Sequence, residues 1–200
     1  AIIITAGCAK EEFRSAIGIG SEEICGVNKV TATIEDGTRA TFNYEIGQQE
    51  WVPQDEIAVA TKRPKVKFVY SGEEQSAVGE FTSEETLIDT TLYYAAYPYS
   101  ALDTVVFDKA GHWMAVEFPS KQTFNSSLSL AEGANLMVAK STKKDEGNKP
   151  VFYFRNICSY IELTVLGPSD DKIESIVITS ADHSAINGPA KVTWNDTEPE

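Results

Sequence analysis

The sequence predicts an all-β protein built as an antiparallel β-sandwich, followed by the opening strands of a second one. Apolar residues recur with period two along much of the chain, turn-forming dipeptides interrupt that alternation at short intervals, and no long stretch carries a 3.6-residue apolar period. Many short strands with frequent Gly, Asn and Pro punctuation bury one face each, and two such sheets packed face to face satisfy that pattern.

The strands can be justified in order. Val30, Ala32 and Ile34 alternate with Thr31, Thr33 and Glu35; Phe42, Tyr44 and Ile46 alternate with Asn43 and Glu45; Val66, Phe68 and Tyr70 flank Lys67 and Val69. The signature returns at Ile161, Leu163 and Val165, at Ile176 and Ile178, and at Val192 and Trp194. Turns are expected at Asp36-Gly37, Ser71-Gly72, Ala110-Gly111, Glu132-Gly133, Gly147-Asn148, Gly167-Pro168 and Gly188-Pro189. Only Ser126 to Asn135 could carry a helical turn.

The stretch "KSTKKDEGNKP", residues 140–150, is charged, lacks apolar anchors and ends in proline. It reads as an exposed linker or a long hairpin loop. The apolar restart "VFYFRNICSYIELTVLG" follows it. Three segments result: residues 1–27 as the remnant of an export signal with a flexible tether, 28–150 as an N-terminal β-sandwich, and 151–200 as the first strands of a truncated C-terminal one.

With 200 residues, 42% of them hydrophobic, the chain can bury a core of ordinary size. Seventeen Lys and Arg stand against 30 Asp and Glu, a formal net charge of −13 that repels phosphate backbones, so nucleic acid is not an expected partner. Cys25 and Cys158 lack the spacing of a zinc site; the sequence leaves open both a disulfide between them and two buried thiols.

"AIIITAGCAKEE" opens the chain with a short apolar run against a cysteine and then charge. Four apolar residues cannot span a bilayer, which takes about 20. They suit the end of a signal peptide, and Thr5-Ala6-Gly7-Cys8 resembles a bacterial lipobox, with Thr5 where an aliphatic residue is usual. Small residues fit a peptidase cleft, and the Cys8 thiol would carry the lipid that anchors the protein.

No catalytic constellation stands out, and none is expected. His112 and His183 lie outside any HExxH, HxH or triad-like setting, and GxSxG, Walker and strand-borne GxGxxG motifs are missing. Asp170-Asp171 and Glu84-Glu85 read as solvated turn carboxylates, and "GPSDDKIES" lacks the spacing of a calcium loop. Neither metal nor cofactor is implied. "LYYAAYPYS" concentrates tyrosines, and alternation puts Tyr93, Tyr97 and Tyr99 on one face and Tyr94 on the other. Part of that set must be core; an exposed remainder could stack a glycan.

Several stretches together resemble the fimbrillin family of surface lipoproteins of Gram-negative bacteria. They are "GTRATF" from 37, "WVPQDEIAV" from 51, "GEFTSE" from 79, "YYAAYPYS" from 93, "VEFPSKQ" from 116, and "FRNICSYIELTVLG…IESIVITS…ING" from 154 to 188. Gln54 stands where the family pattern has glycine. The resemblance implies transthyretin-like β-sandwiches in an outer-membrane lipoprotein of the cell surface or fimbrium, whose subunits assemble after proteolysis releases an N-terminal strand. A strand of the next subunit then fills the groove. On this chain the implied cut falls after Arg39, with Arg14 as the competing site, and the released strand carries Val30, Ala32 and Ile34. The implied partners are other fimbrial subunits and the outer membrane. The alternative is a non-polymerising surface lipoprotein that binds a glycan or a host surface protein.

Overall fold

The computed structural model describes residues 26–35, 41–43, 48–61, 64–108, 111–121, 135–158, 165–168, 172, 174–182, 184–195 and 198–199. The chain is all-β, as its alternation predicts. The strands are β1 (Gly26–Ile34), β2 (Thr41–Asn43), β3 (Gln48–Glu50), β4 (Glu56–Ala60), β5 (Val66–Tyr70), β6 (Val78–Ile88) and β7 (Tyr93–Tyr97). After a 3-10 turn at Tyr99–Ala101 come β8 (Leu102–Asp108), β9 (Gly111–Phe118), β10 (Met137–Ser141), β11 (Val151–Asn156), β12 (Gly188–Val192), β13 (Trp194–Asn195) and β14 (Glu198–Pro199). Among the described residues no helix is long and apolar enough to cross a membrane.

Seven strands close into a barrel in the order β1-β11-β10-β7-β4-β5-β6, with β6 returning to β1. All its pairings are antiparallel except β1 with β11, where Thr31 to Ile34 run parallel to Val151 to Phe154. The barrel interior takes the alternate residues that the sequence marks: Val30, Ala32 and Ile34 from β1, Val66, Phe68 and Tyr70 from β5, and Phe152 and Phe154 from β11.

A second sheet, ordered β12-β9-β8, covers the barrel's outer face. The covered strands are therefore buried on both sides for most of their length, and they carry consecutive apolar residues: "IAVA" in β4, "YYAAY" in β7 and "MVA" in β10. Outward-facing Ala58, Ala60, Ala96 and Val138 are short and meet Leu102, Met114, Val116 and Val192 of the small sheet. Tyr94 is the large exception in this layer, and it packs edge-on against Phe107 at 5.7 Å. The hairpin joining β8 to β9 sets Asp108 opposite Gly111, whose φ of +136° a side chain would strain.

Two expectations are corrected here. The boundary placed at residues 140–150 is a loop within the barrel, because β11 lies hydrogen-bonded between β1 and β10, and β12 joins β9. The apolar restart after Pro150 is thus a core strand of the first unit, since Phe152 and Phe154 are fully buried in it. Ile176 and Ile178, expected in a half-buried strand, lie outside any strand and are 54% and 47% exposed. Their alternation is a local pattern, and no neighbouring strand within the described residues pairs with it.

Candidate functional site

β1 sits between two strands that are remote from it in sequence. Against β6 it pairs Lys29 with Thr82 through Thr33 with Val78, and after an irregularity between Val27 and Lys29 it pairs Gly26 with Ile88. Its inward residues Val27, Val30, Ala32 and Ile34 are at most 7% exposed. Burying a valine or isoleucine side chain of this kind stabilises a fold by roughly 1.5–3 kcal/mol. β1 is consequently a large share of the barrel core, delivered by one continuous strand.

The core partner that β1 meets is Trp51, which sequence alternation does not reveal. Trp51 is fully buried and packs edge-on against Phe81, Tyr97 and Phe154 at centroid distances of 5.0, 5.4 and 5.3 Å. Its indole N–H donates to the Ala32 carbonyl of β1 at 3.2 Å. The turn that inserts it is closed by Asp55, whose carboxylate accepts the Val52 N–H and the Tyr97 hydroxyl, each at 2.9 Å. Burial pushes the Asp55 carboxyl above its usual range, against those two donors. A lone tryptophan followed two residues later by Pro-Gln-Asp was the available signal, and "WVPQD" carries it.

At its C-terminal end β1 is tied to both neighbours. Ile34 N–H donates to the Ala77 carbonyl at 2.9 Å, Glu35 N–H to the Phe154 carbonyl at 3.1 Å, and Arg155 Nε donates to the Glu35 carboxylate. Residues 36–40 follow, so Arg39 lies outside the described residues, as do Cys8, Arg14 and Cys25. Cys158, the other half of the candidate disulfide, is half-buried, with its Sγ 2.7 Å from Asn156 Oδ1.

The tyrosines do not form one exposed face. Tyr93 is 1% exposed, and its hydroxyl donates to Asp89 and accepts the Thr90 N–H at 2.9 Å. Burial, then the Asp89 bond, push its phenol upward in pKa. Tyr97 belongs to the Trp51 cluster. Tyr99 has left the strand beyond the cis Tyr97–Pro98 bond, and Lys65 Nζ lies 4.5 Å above its ring while donating to the Tyr99 and Leu102 carbonyls. The sequence reading that part of this set is core thus extends to Tyr93 and Tyr97. Tyr94, on the opposite face, is pushed up to about 12 by burial, with His112 Nδ1 3.1 Å from its hydroxyl.

A depression of about 520 Å³ is lined by Asp89, Thr90, Thr91, Tyr93, Thr142 and Lys144. Its charged groups pair with each other, Lys144 Nζ standing 2.5 Å from Asp89 Oδ1. Among the described residues no three His, Cys, Asp or Glu side chains gather as metal ligands.

No family model, curated protein or solved structure matches the chain. The candidate site therefore rests on geometry: one strand, β1, seated between β6 and β11 and followed in sequence by the segment that carries Arg39.

Proposed function

We propose that the protein is a structural or adhesive subunit of a surface filament, of the fimbrillin kind, that assembles by strand exchange. The observation that carries this reading is the seat of β1. One strand near the start of the described chain supplies Val27, Val30, Ala32 and Ile34 to the core and closes the barrel between β6 and β11. Its loss would leave a groove with a row of apolar pockets and two unpaired strand edges. An incoming strand would find main-chain partners on both sides, and its alternate side chains would fill the pockets.

In this proposal, cleavage after Arg39 frees β1, and a strand of the next subunit replaces it. The contact is head-to-tail, does not close on itself and so propagates as a filament. Lipid attached at Cys8 would hold the unprocessed chain at the outer membrane, ready for release by the cut. The chemistry is assembly, with no catalytic step, no cofactor and no nucleic acid. The transthyretin-like sandwich belongs to the same proposal, the barrel and its covering sheet being the two layers.

The alternative, glycan or host-ligand binding on exposed tyrosines, loses support because Tyr93 is buried and Tyr97 is committed to Asp55. Mass spectrometry of assembled material tests the favoured reading. Mature chains are expected to begin at Ala40; intact chains spanning Thr38 to Ala40 within oligomers would overturn the assignment of Arg39.

A further inference from the structure

The outer surface of β1 is crossed by a loop. Glu80 of β6 stands opposite Thr31, and Val151 of β11 stands beside Thr31 on the other flank, so the three form one row across the sheet. Lys149 precedes Val151 by two residues and shares its outward direction. Two strand spacings, about 10 Å, separate the flanks of β1, a span that a lysine and a glutamate reaching toward each other can close. They do so: Lys149 Nζ donates to Glu80 Oε2 at 2.8 Å, while Lys29 of β1 donates to Glu80 Oε1 at 3.2 Å.

The loop that presents Lys149 is held in shape by its own bonds. Asp145 N–H donates to the Lys149 carbonyl and Asn148 N–H to the Asp145 carbonyl, both at 2.9 Å. Asp145 Oδ1 accepts the Lys149 N–H at 2.9 Å, and Asn148 takes the left-handed φ of 61° that this tight return requires. The same loop grips β1 through its backbone, since Thr31 N–H donates to the Pro150 carbonyl at 2.9 Å. Asp145 Oδ2 is 3.5 Å from Thr31 Oγ1 and 3.6 Å from Lys149 Nζ.

We propose that the loop of residues 143–150 is a strap across β1, latched by Lys149 on Glu80, and that it sets how readily β1 leaves the barrel. Its use as a control on assembly rests on the strand-exchange reading, but its effect on β1 does not. Glu80 is the common acceptor for a cation on β1 and a cation on the strap. Breaking the latch therefore removes a tie across the outer face of β1 at Lys29 to Thr33, whereas the β4 and β5 pairing is untouched. The strap also blocks replacement: while it lies over Thr31, an incoming strand cannot reach the β6 flank from the β11 side without displacing it.

Amide hydrogen exchange on the full chain tests this. Lys149→Gln and Glu80→Gln are expected to speed exchange at residues 29–34 by roughly 2- to 10-fold, the size appropriate to a part-exposed ion pair with its ordered loop, with β4 and β5 unchanged. The double variant should exceed Glu80→Gln by little, because Glu80→Gln already removes the Lys149 contact along with that of Lys29. Asp145→Asn, which loosens the strap without touching Glu80 directly, should shift the same amides. Unchanged exchange at 29–34, or an equal rise in β4 and β5, would overturn the strap. Oligomer formation in the native host judges the other reading separately. Faster β1 exchange in a chain that never assembles leaves the strap standing and the filament role refuted; assembly that proceeds with unchanged β1 exchange does the reverse.

Discussion

At the scale of single residues, Trp51 and Asp55 tie the barrel interior to β1 and to Tyr97 of β7. Trp51 fills the interior against three aromatic rings and bonds the backbone of β1. Trp51→Ala should cost about 3–5 kcal/mol, as for other buried large-to-small changes, and urea unfolding measures it. Trp51→Phe keeps most of the packing and leaves the Ala32 carbonyl without its indole donor, a smaller loss of about 1–3 kcal/mol. Asp55 carries a titration whose sign is fixed by burial. Its folded carboxyl binds a proton more tightly than the unfolded one, so the stability it contributes is fully present below the ordinary carboxylate range and is lost as pH rises through the raised value. Asp55→Asn should remove that downward slope from a stability-against-pH curve. A slope that survives in the variant would place its origin elsewhere. Neither residue was legible from alternation, because a side chain inserted from a turn has no period to betray it; only the local "WVPQD" motif marks them.

At the scale of elements, β1 was legible and its setting was not. Val30, Ala32 and Ile34 alternate because one face of the strand is wet and the other dry, and that contrast is written in the chain itself. The parallel partner β11 lies more than a hundred residues away, and its apolar run looks the same whether it completes one barrel or starts another domain. The same ambiguity made residues 140–150 look like a boundary when they are the end of β10 and the loop whose Lys149 reaches across β1 to Glu80. Ile34→Ala should destabilise the barrel by about 2–5 kcal/mol, while Thr33→Ala on the outer face should stay within about 0.5 kcal/mol; equal effects on denaturant midpoints would contradict the facing of β1. The Glu80 latch adds a pH dependence of the opposite sign to that of Asp55. The Lys149 bond holds the Glu80 carboxyl below its usual range, burial opposes it and the Lys29 bond reinforces it. That stabilisation is present above the ordinary glutamate value and is lost as pH falls through the lowered one. Acid should therefore loosen residues 29–34 in the wild type, and Glu80→Gln should be loose at every pH; exchange rates across pH 3 to 6 distinguish them.

At the scale of the whole molecule, closure leaves the barrel strands no open edge to offer a second copy. The seven-stranded barrel has no free edge, so among the described residues the unpaired edges fall on the smaller sheets, at β8 and β12 and in the two-stranded β2-β3 and β13-β14. In the proposed assembly, association through the barrel follows the release of β1. The net charge of −13 works in the same direction by keeping copies apart. Raising ionic strength shortens the Debye length from about 30 Å at 0.01 M to about 8 Å at 0.15 M, and assembly of processed subunits should accelerate over that range. Composition made this much legible, in the acidic surface and the all-β class, but a closed sheet and an open one share the same alternation. In the proposed assembly, copies join by exchanging a strand. An unboiled denaturing gel of the outer-membrane fraction from the native host, probed for this chain, decides whether they do. Strand exchange predicts a ladder of regularly spaced oligomers that collapses to monomer on boiling; a lone monomer band before boiling would contradict it.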